Sequence, residues 1–156
     1  MEKIAIFPGS FDPFTVGHES IVRRSMGLFD RIIVAVGVHS GKTALMTVEA
    51  RVRMINDVFR NDDSVSCESY EGLTVDYCKK VNAGYMLRGI RTAADFEYER
   101  AIAQINKKML PEVESVFLLT NPEHTPVNST IIRDIIRNRG NASQFLPKGI
   151  DIEKYM

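Results

Sequence analysis

A ten-residue loop near the start of the chain combines glycine, hydroxyl and imidazole groups in a pattern suited to holding an anion. It runs from Gly9 to His18 as Gly-Ser-Phe-Asp-Pro-Phe-Thr-Val-Gly-His and follows a short apolar run. If that run is a parallel strand, the backbone N–H groups of Gly9 and Ser10 can face a ligand, and Gly17 lets the chain pass close to it. His18 then falls in the first turn of a helix, where the helix dipole and free N–H groups favour phosphate. A lone histidine at a helix start is usually an ordinary residue, but its position behind this loop favours a role for His18.

Two common phosphate-binding motifs are not supported. The segment from Gly37 to Thr43, Gly-Val-His-Ser-Gly-Lys-Thr, resembles a P-loop, but only three residues separate its glycines where that motif needs four. It also follows the second apolar run, whereas a P-loop normally opens the fold. The chain contains no Gly-x-Gly-x-x-Gly segment, so a dinucleotide oxidoreductase has no positive support.

Short β-branched runs alternate with segments of helical period along the whole chain. The pattern predicts strands at 3–7, 31–38, 65–70, 85–87 and 115–119, and helices at about 17–28, 48–59, 73–81 and 94–109, with a last helix ending before Gly140. Thr47 is the predicted cap of the second helix. The predicted apolar sides are Ile21, Val22, Ser25 and Leu28 in the first helix, Ile102, Ile105 and Met109 in the fourth, and Ile131, Ile132, Ile135 and Ile136 in the last.

Strict alternation of strands and helices predicts an α/β fold. The expected architecture is a single domain, 1–156, with a doubly wound five-stranded parallel sheet and helices on both faces. The run at 65–70 alternates in character and is expected near an edge. Ligands of such sheets bind outside the carboxyl ends of the strands, so the loops after the first, second, fourth and fifth strands are the candidate site.

Charge and cysteine content narrow the function classes. The 156 residues include 20 basic and 20 acidic side chains, so the formal net charge is zero, which argues against a general binder of nucleic acid or membrane surfaces. No run approaches the roughly 20 apolar residues of a spanning helix, and the first apolar run is too short for a signal peptide. The only cysteines, Cys67 and Cys78, lack CxxC spacing and are interpreted as thiols in a reducing, cytoplasmic compartment rather than as a disulfide or metal site.

Several segments together resemble a known enzyme family. Gly9 to Pro13 followed by Thr15-Val16-Gly17-His18 is similar to the signature of the HxGH nucleotidyltransferases, with Thr15 in place of the first histidine. Class I tRNA synthetases share that motif, but this chain is too short and too neutral for tRNA recognition. Lys42, Thr74, the run Arg88-Gly89-Ile90-Arg91, the run Asp95 to Glu99 and the run Leu110 to Leu118 resemble phosphopantetheine adenylyltransferases at corresponding places. The resemblance covers nearly the whole chain and implies a Rossmann-like fold.

The resemblance implies a role for each matching residue. His18 would stabilise the transition state, and Lys42 and Arg88 would hold the phosphate of the acceptor, with Ser10 and Thr74 as further acceptor contacts. The residues implied to touch ATP are Ser10, Phe11, His18, Gly89, Ile90, Arg91, Glu99, His124, Thr125, Pro126, Val127, Asn128, Ser129 and Thr130. Two cations from separate loops can clamp one phosphate, since arginine offers a bidentate fork and lysine a compact charge.

The chain departs from the family pattern in two places. Thr43 stands where the family usually has a second basic residue after Lys42, and Val127-Asn128-Ser129-Thr130 replaces a serine-rich run. Asn, Ser and Thr all cap helices, so a triphosphate could still meet free N–H groups there. His124 is given no catalytic role. Arg133, Arg137 and Arg139 could reach the cleft, but a solvated helix face is the favoured interpretation.

The activity implied is transfer of the adenylyl group of ATP to 4′-phosphopantetheine, giving dephospho-coenzyme A and pyrophosphate by direct in-line attack. A phosphate dianion is already a nucleophile, so no general base is needed, and Mg²⁺ is expected on the triphosphate oxygens. The resemblance also implies a homohexamer, with coenzyme A as a candidate feedback ligand.

Two alternatives stay open: a related adenylyl- or cytidylyltransferase for another phosphorylated acceptor, such as nicotinamide mononucleotide or glycerol phosphate, and a non-catalytic adenine-nucleotide sensor. Lys42, Thr74 and Arg88 together argue against the first alternative, and the presence of both Lys42 and Arg88 disfavours the second.

Overall fold

Five parallel strands form one twisted sheet at the centre of the molecule. A computed structural model describes residues 1–39 and 43–156. The strands are β1 (Ile4–Gly9), β2 (Arg31–Gly37), β3 (Val65–Tyr70), β4 (Tyr85–Ile90) and β5 (Glu114–Leu119), in the order β3-β2-β1-β4-β5. Every neighbouring pair is parallel. The chain winds outward from β1 in both directions, so the switch in strand order lies between β1 and β4, where ligands of such sheets bind.

The connecting helices are α1 (Val16–Ser25), α2 (Val48–Val58), α3 (Thr74–Lys80), α4 (Ala93–Met109) and α5 (Ser129–Arg137). Four of them begin at side-chain caps: Thr15 accepts from the N–H of His18, Thr47 from that of Ala50, Thr92 from that of Asp95, and Asn128 from that of Ile131. No helix in the described ranges has the length and apolar character needed to span a membrane.

Both faces of the sheet are covered, as the near-continuous apolar strands predict. On one face, Phe7, Val34 and Leu87 pack with residues of α1, α2 and α5, among them Val22, Met54 and Ile132. On the other face, Ile6, Ile33 and Met86 pack with Val75 and Cys78 of α3 and with Leu110 and Val113. The single-layer sheet between two helical layers confirms the predicted doubly wound α/β architecture.

The predicted burial of α4 is wrong. Ile102, Ile105 and Met109 are 39%, 56% and 48% exposed, whereas the residues buried on this helix are the polar Glu99 and Asn106. Helical period correctly identifies the apolar stripe, but period alone does not say which side of a helix faces its own sheet. Here Glu99 and Asn106 turn inward at the level of the strand ends, and Ile105 and Met109 face outward.

Two boundaries also differ from prediction. Helix α1 ends at Ser25, so Leu28 lies beyond it and is 51% exposed rather than buried. Strand β4 continues to Ile90, three residues past its predicted end, so Arg88 and Gly89 lie within the strand. A charged residue followed by glycine does not resemble a buried strand, which is why the apolar pattern stopped at Leu87.

Candidate active site

The loop between β1 and α1 has an unusual backbone conformation that fits the positions of its small residues. Phe11 has φ of 51°, in the left-handed region that non-glycine residues rarely adopt. Its ring lies against Gly9, where an added Cβ would stand 2.8 Å from Cζ of Phe11. Gly9 is therefore required for close packing of the ring, and the strain at Phe11 is held by the surrounding structure.

Buried polar contacts tie this loop to the chain after β2. The Asp12 carboxylate accepts hydrogen bonds from the N–H groups of Leu45 and Met46 at 2.8 and 2.9 Å. Arg51 of α2, itself buried, donates to the carbonyl of Ser10 at 2.8 Å. The same guanidinium lies 3.9 Å from Asp12, so the two charges compensate each other inside the protein.

His18 is fixed by a reciprocal cap at the start of α1. The Thr15 hydroxyl accepts from the N–H of His18 at 3.3 Å, and Nδ1 of His18 accepts from the N–H of Thr15 at 3.0 Å. Because Nδ1 is an acceptor, the proton of the neutral ring is on Nε2. His18 therefore presents an N–H donor with its second nitrogen.

Aromatic rings and two arginines keep the His18 imidazole uncharged. The ring centroids of Phe11 and Phe14 lie 5.0 and 5.4 Å from that of His18. Burial first, and then the positive charges of Arg88 and Arg91, lower the pKa of His18 to about 3. At neutral pH this residue can donate a hydrogen bond but carries no positive charge.

Arg88 on β4 is held by three hydrogen bonds. Its Nε and Nη2 atoms donate to the two carboxylate oxygens of Glu99 at 2.9 and 2.6 Å, and Nη1 donates to the carbonyl of Pro8. Glu99 is on α4, and its side chain is only 11% exposed. Arg88 is therefore a guanidinium paired with Glu99, a partner that the sequence did not indicate.

A second helix N-terminus lies against the same loop. Ser129 at the start of α5 donates from its hydroxyl to the carbonyl of Pro13 at 3.0 Å. Arg133, one turn later, donates to the carbonyl of Asp12 at 2.8 Å and to the Thr130 hydroxyl at 3.1 Å. The free N–H groups of α5 and those of α1 therefore face a common region, which suits a polyanion.

These elements border two hollows at the carboxyl edge of the sheet. The first cavity has a volume of about 450 Å³ and lies between β1, β4 and the two helix N-termini. The second cavity, about 380 Å³, lies between the end of β1 and α4. Five residues border both cavities: Pro8, Gly9, Ser10, Arg88 and Glu99.

Sequence comparison agrees with this geometry. Residues 6–135 match the family model described as cytidylyltransferase-like. The chain is 48% identical over 149 residues to the phosphopantetheine adenylyltransferase of Flavobacterium psychrophilum, covering 96% of this chain and 98% of that protein. It is 43% identical to the phosphopantetheine adenylyltransferase of Bacteroides fragilis, over 95% of this chain and 98% of that one. The chain belongs to the phosphopantetheine adenylyltransferase family.

A solved structure supports the fold. A bifunctional NMN adenylyltransferase/ADP ribose pyrophosphatase from Francisella tularensis superposes with a TM-score of 0.74 at 17% identity. The match covers 98% of this chain but only 47% of the other protein. At that level of identity the likeness concerns the Rossmann-like fold alone.

Most residues singled out from the sequence border these cavities. Those lining the first are Ser10, Phe11, His18, Arg88, Gly89, Arg91, Glu99, His124, Val127, Asn128, Ser129 and Thr130. Thr74 lines the second and shares a 2.9 Å hydrogen bond with the Tyr70 hydroxyl. Ile90, Thr125 and Pro126 are among the described residues and are chain neighbours of residues that line the first cavity, but they do not line it themselves. Lys42 lies outside the described residues.

Sequence reasoning missed Asp12 and Thr120 of the first cavity, and of the two positions it considered for Arg133 it favoured the solvated one. The interpretation of Arg133 as part of a solvated face is wrong, because this side chain is half-buried and bonded to the loop. Its spacing was a usable signal: a residue four positions after Ser129 shares its side of the helix. Arg137 and Arg139 are exposed, as expected.

Proposed function

We propose that this protein transfers the adenylyl group of ATP to 4′-phosphopantetheine, giving dephospho-coenzyme A and pyrophosphate in coenzyme A biosynthesis. The relatives that carry this activity in their names match almost the full length of the chain. The observation that carries the proposal is that two cavities at the carboxyl edge of the sheet meet at Ser10 and Arg88. Such a junction suits a reaction in which two phosphate-bearing substrates must approach each other.

ATP occupies the first cavity in this proposal. Its phosphates lie at the N-termini of α1 and α5, where free N–H groups and the helix dipoles favour anions. Arg133 adds a positive charge beside them. The base lies towards Gly89, where an added Cβ would stand 3.2 Å from Cγ1 of Ile21, so only glycine leaves the strand surface flat.

The acceptor occupies the second cavity. Apolar side chains line much of it, including Met86, Ile102 and Phe117, and Arg88 stands at its junction with the first cavity. Asn106 also lines it, is 8% exposed, and makes one weak contact, from Nδ2 to Sδ of Met86 at 3.6 Å. A cavity that combines apolar side chains with a phosphate-binding end and a carboxamide suits an extended arm that carries amide groups.

Catalysis rests on positioning and on hydrogen-bond donors. An oxygen of the acceptor phosphate attacks the α-phosphorus of ATP in line, the bond from that phosphorus to the bridging oxygen breaks, and pyrophosphate leaves. Nε2–H of His18 donates to the transferring phosphoryl group, where negative charge must be stabilised in the transition state. Arg88 orients the attacking phosphate through its remaining N–H groups, and Lys42 is proposed as its second cation.

Mg²⁺ would be held by the triphosphate oxygens of ATP and by water rather than by protein carboxylates. The residues present fit this arrangement, because the carboxylates at the first cavity are already engaged: Asp12 with two backbone N–H groups, Asp95 with Arg91, and Glu99 with Arg88. The ion would offset repulsion between the two substrates.

The assembly and its location follow the family resemblance. The outward stripe of α4 exposes Tyr98 at 69%, Ile105 at 56% and Met109 at 48%, a surface suited to contacts between copies of the chain in a homohexamer. A cytoplasmic location accords with two free, buried thiols, Cys67 and Cys78. Coenzyme A, which contains the product, is a candidate feedback ligand of the same cavities.

One assay separates this proposal from its rivals. Pyrophosphate release is measured with ATP and, in parallel, 4′-phosphopantetheine, nicotinamide mononucleotide or glycerol phosphate. We expect pyrophosphate release from ATP with 4′-phosphopantetheine and not with either of the other two acceptors. Preference for another acceptor would make the protein a related nucleotidyltransferase, and ATP binding without release with any acceptor would make it a nucleotide sensor.

A further inference from the structure

A buried arginine of α2 holds the backbone of the loop that follows β1. Arg51 is 7% exposed, and it donates from Nη1 to the carbonyl of Ser10 at 2.8 Å and from Nε to the carbonyl of Met46 at 3.2 Å. Its charge is opposed by the carboxylate of Asp12, which lies 3.9 Å away and is also buried. Desolvation of two buried charges offsets much of their attraction, so stability alone is a weak reason for placing this pair in the interior.

The contact with Ser10 sets the direction of one peptide group. The peptide between Ser10 and Phe11 is trans, so its C=O and N–H point in opposite directions. Both residues line the first cavity, whereas Arg51 lines neither of the two cavities. A carbonyl that points towards Arg51 therefore leaves the N–H of Phe11 pointing away from α2. In the part of the chain that the structure describes, no group accepts a hydrogen bond from that N–H.

We propose that Arg51 is a positioning residue that keeps the N–H of Phe11 turned towards the transferring phosphoryl group. This inference rests on the proposed function and deepens it: the family resemblance assigns Phe11 to ATP, and the geometry identifies the side chain that orients its amide. With Arg51 in place, the peptide presents a hydrogen-bond donor to the anion. A peptide turned the other way would present a carbonyl oxygen, whose partial negative charge would repel the phosphates.

Neighbouring carbonyls of the same loop are held in a similar way. Arg133 donates to the carbonyl of Asp12, and Ser129 donates to that of Pro13. These two contacts come from α5, so donors from two helices fix the loop from two sides. The left-handed φ of 51° at Phe11 is unfavourable for a residue with a side chain, and such a backbone persists only where its surroundings hold it.

A positioning role and a purely structural role predict different kinetics. If Arg51 only compensates the buried charge of Asp12, its loss should lower stability but leave the turnover of the folded protein unchanged. If it orients the peptide, its loss should lower kcat even where the protein is fully folded. The KM for ATP should rise less than kcat falls, because the helix N-termini still hold the triphosphate, whereas the oriented N–H acts mainly in the transition state.

The test compares Arg51→Met, Asp12→Asn and the double variant for kcat, both KM values and thermal melting, with kinetics measured where each variant is folded. We expect Arg51→Met to lower kcat on the order of 10²-fold, the effect of one lost preorganised donor. The double variant also removes the uncompensated carboxylate, so it should melt at a higher temperature than Arg51→Met. Its kcat should nevertheless stay at least about ten-fold below that of Asp12→Asn alone.

Two results would overturn the proposal. One is a kcat in the double variant that recovers to the value of Asp12→Asn, and the other is a normal kcat in Arg51→Met. Arg51→Lys carries the same test if Arg51→Met does not fold. Lysine keeps a positive charge beside Asp12 but replaces the fork that spans two carbonyls with a single ammonium group, so stability should be largely retained while kcat stays low. Wild-type kcat in Arg51→Lys would also overturn the proposal.

Arg53→Met is the matched control. Arg53 is on the same helix and exposed, with its guanidinium over the ring of Tyr155 at 5.3 Å, so this change removes a positive charge away from both cavities. We expect wild-type kinetics for it. Pyrophosphate release by the wild type is measured first, because its absence would refute the proposed function. Normal release by the wild type together with an unaffected Arg51→Met would refute this inference alone.

Discussion

The backbone N–H of Thr15 donates a 3.0 Å hydrogen bond to Nδ1 of His18. This contact, part of the cap of α1, sets the tautomer of His18 at the first cavity. Because Nδ1 accepts a hydrogen bond, the ring proton is on Nε2. In the sequence, Thr15 occupies the place of the first histidine of the HxGH signature. Its hydroxyl caps α1 and its N–H orients the remaining histidine, so this position contributes to the site without entering the chemistry.

His18→Ala should bind both substrates but turn over slowly. Loss of one preorganised donor typically lowers turnover by about 10²–10³-fold. His18→Gln keeps a neutral N–H donor on a side chain of similar reach and should retain part of the activity. The measurement is kcat together with calorimetric binding of each substrate. Near-normal turnover of the alanine variant would refute the role of His18.

The acid stability of the protein should also report the state of His18. Its pKa is about 3 in the folded protein against 6.5 in an unfolded chain, so below pH 6.5 the unfolded state binds more protons. Stability contributed by the neutral ring is complete above pH 6.5 and is lost as the pH falls towards 3, by at most about 1.4 kcal/mol per pH unit. Chemical denaturation at pH 7 and pH 5 should show a smaller loss for His18→Gln than for the wild type. Equal losses would show that His18 does not titrate as the structure implies.

Gly9→Ala should lower the turnover of the enzyme more than it lowers the stability of the fold. The added Cβ would stand 2.8 Å from Cζ of Phe11, so the ring must shift, and His18 packs edge-on against that ring at 5.0 Å. We expect turnover to fall at least ten-fold, with a loss of about 1–3 kcal/mol in the free energy of unfolding. Gly84→Ala is the control, because a Cβ there meets nothing within 4 Å. Similar kinetics for the two variants would contradict the packing argument.

Arg133→Ala should raise the KM for ATP and leave the KM for the acceptor nearly unchanged. Arg133 borders the first cavity and donates to the Asp12 carbonyl, so its removal takes away a charge and loosens the loop. A charge-assisted contact to phosphate corresponds to roughly a ten-fold change in affinity. Arg137→Ala, one turn further along the same side of α5 but exposed and outside the lining of the first cavity, serves for comparison. Equal effects of the two changes on the KM for ATP would remove Arg133 from the proposed phosphate site.

Local pattern was sufficient for the architecture. The alternation of apolar runs with helical periods predicts the parallel sheet, and the strand-end rule brings Ser10, His18 and Arg88 to one edge before any coordinates are known. Caps at Thr47 and Asn128 follow from residue type alone. The contact of Lys42 with the acceptor phosphate remains a prediction, since Lys42 lies outside the described residues.

Local pattern was not sufficient for the inward side of α4. The sequence pattern predicts that Ile105 lies in the core, because apolar residues usually face the sheet. The buried residues of α4 are instead Glu99 and Asn106. A helix that borders a cavity with polar residues and exposes apolar residues on its other side breaks the usual pattern, and period cannot reveal that orientation.

The sequence by itself therefore determined the order of elements, the loops at the carboxyl edge and the types of group available there, because these depend on interactions between near neighbours in the chain. Only the tertiary structure decided which groups are paired and which are available to a ligand. Arg88 and Glu99 are 11 residues apart on different elements. Their contact depends on how α4 lies over β4, and that placement is set by packing of the whole sheet rather than by any local spacing.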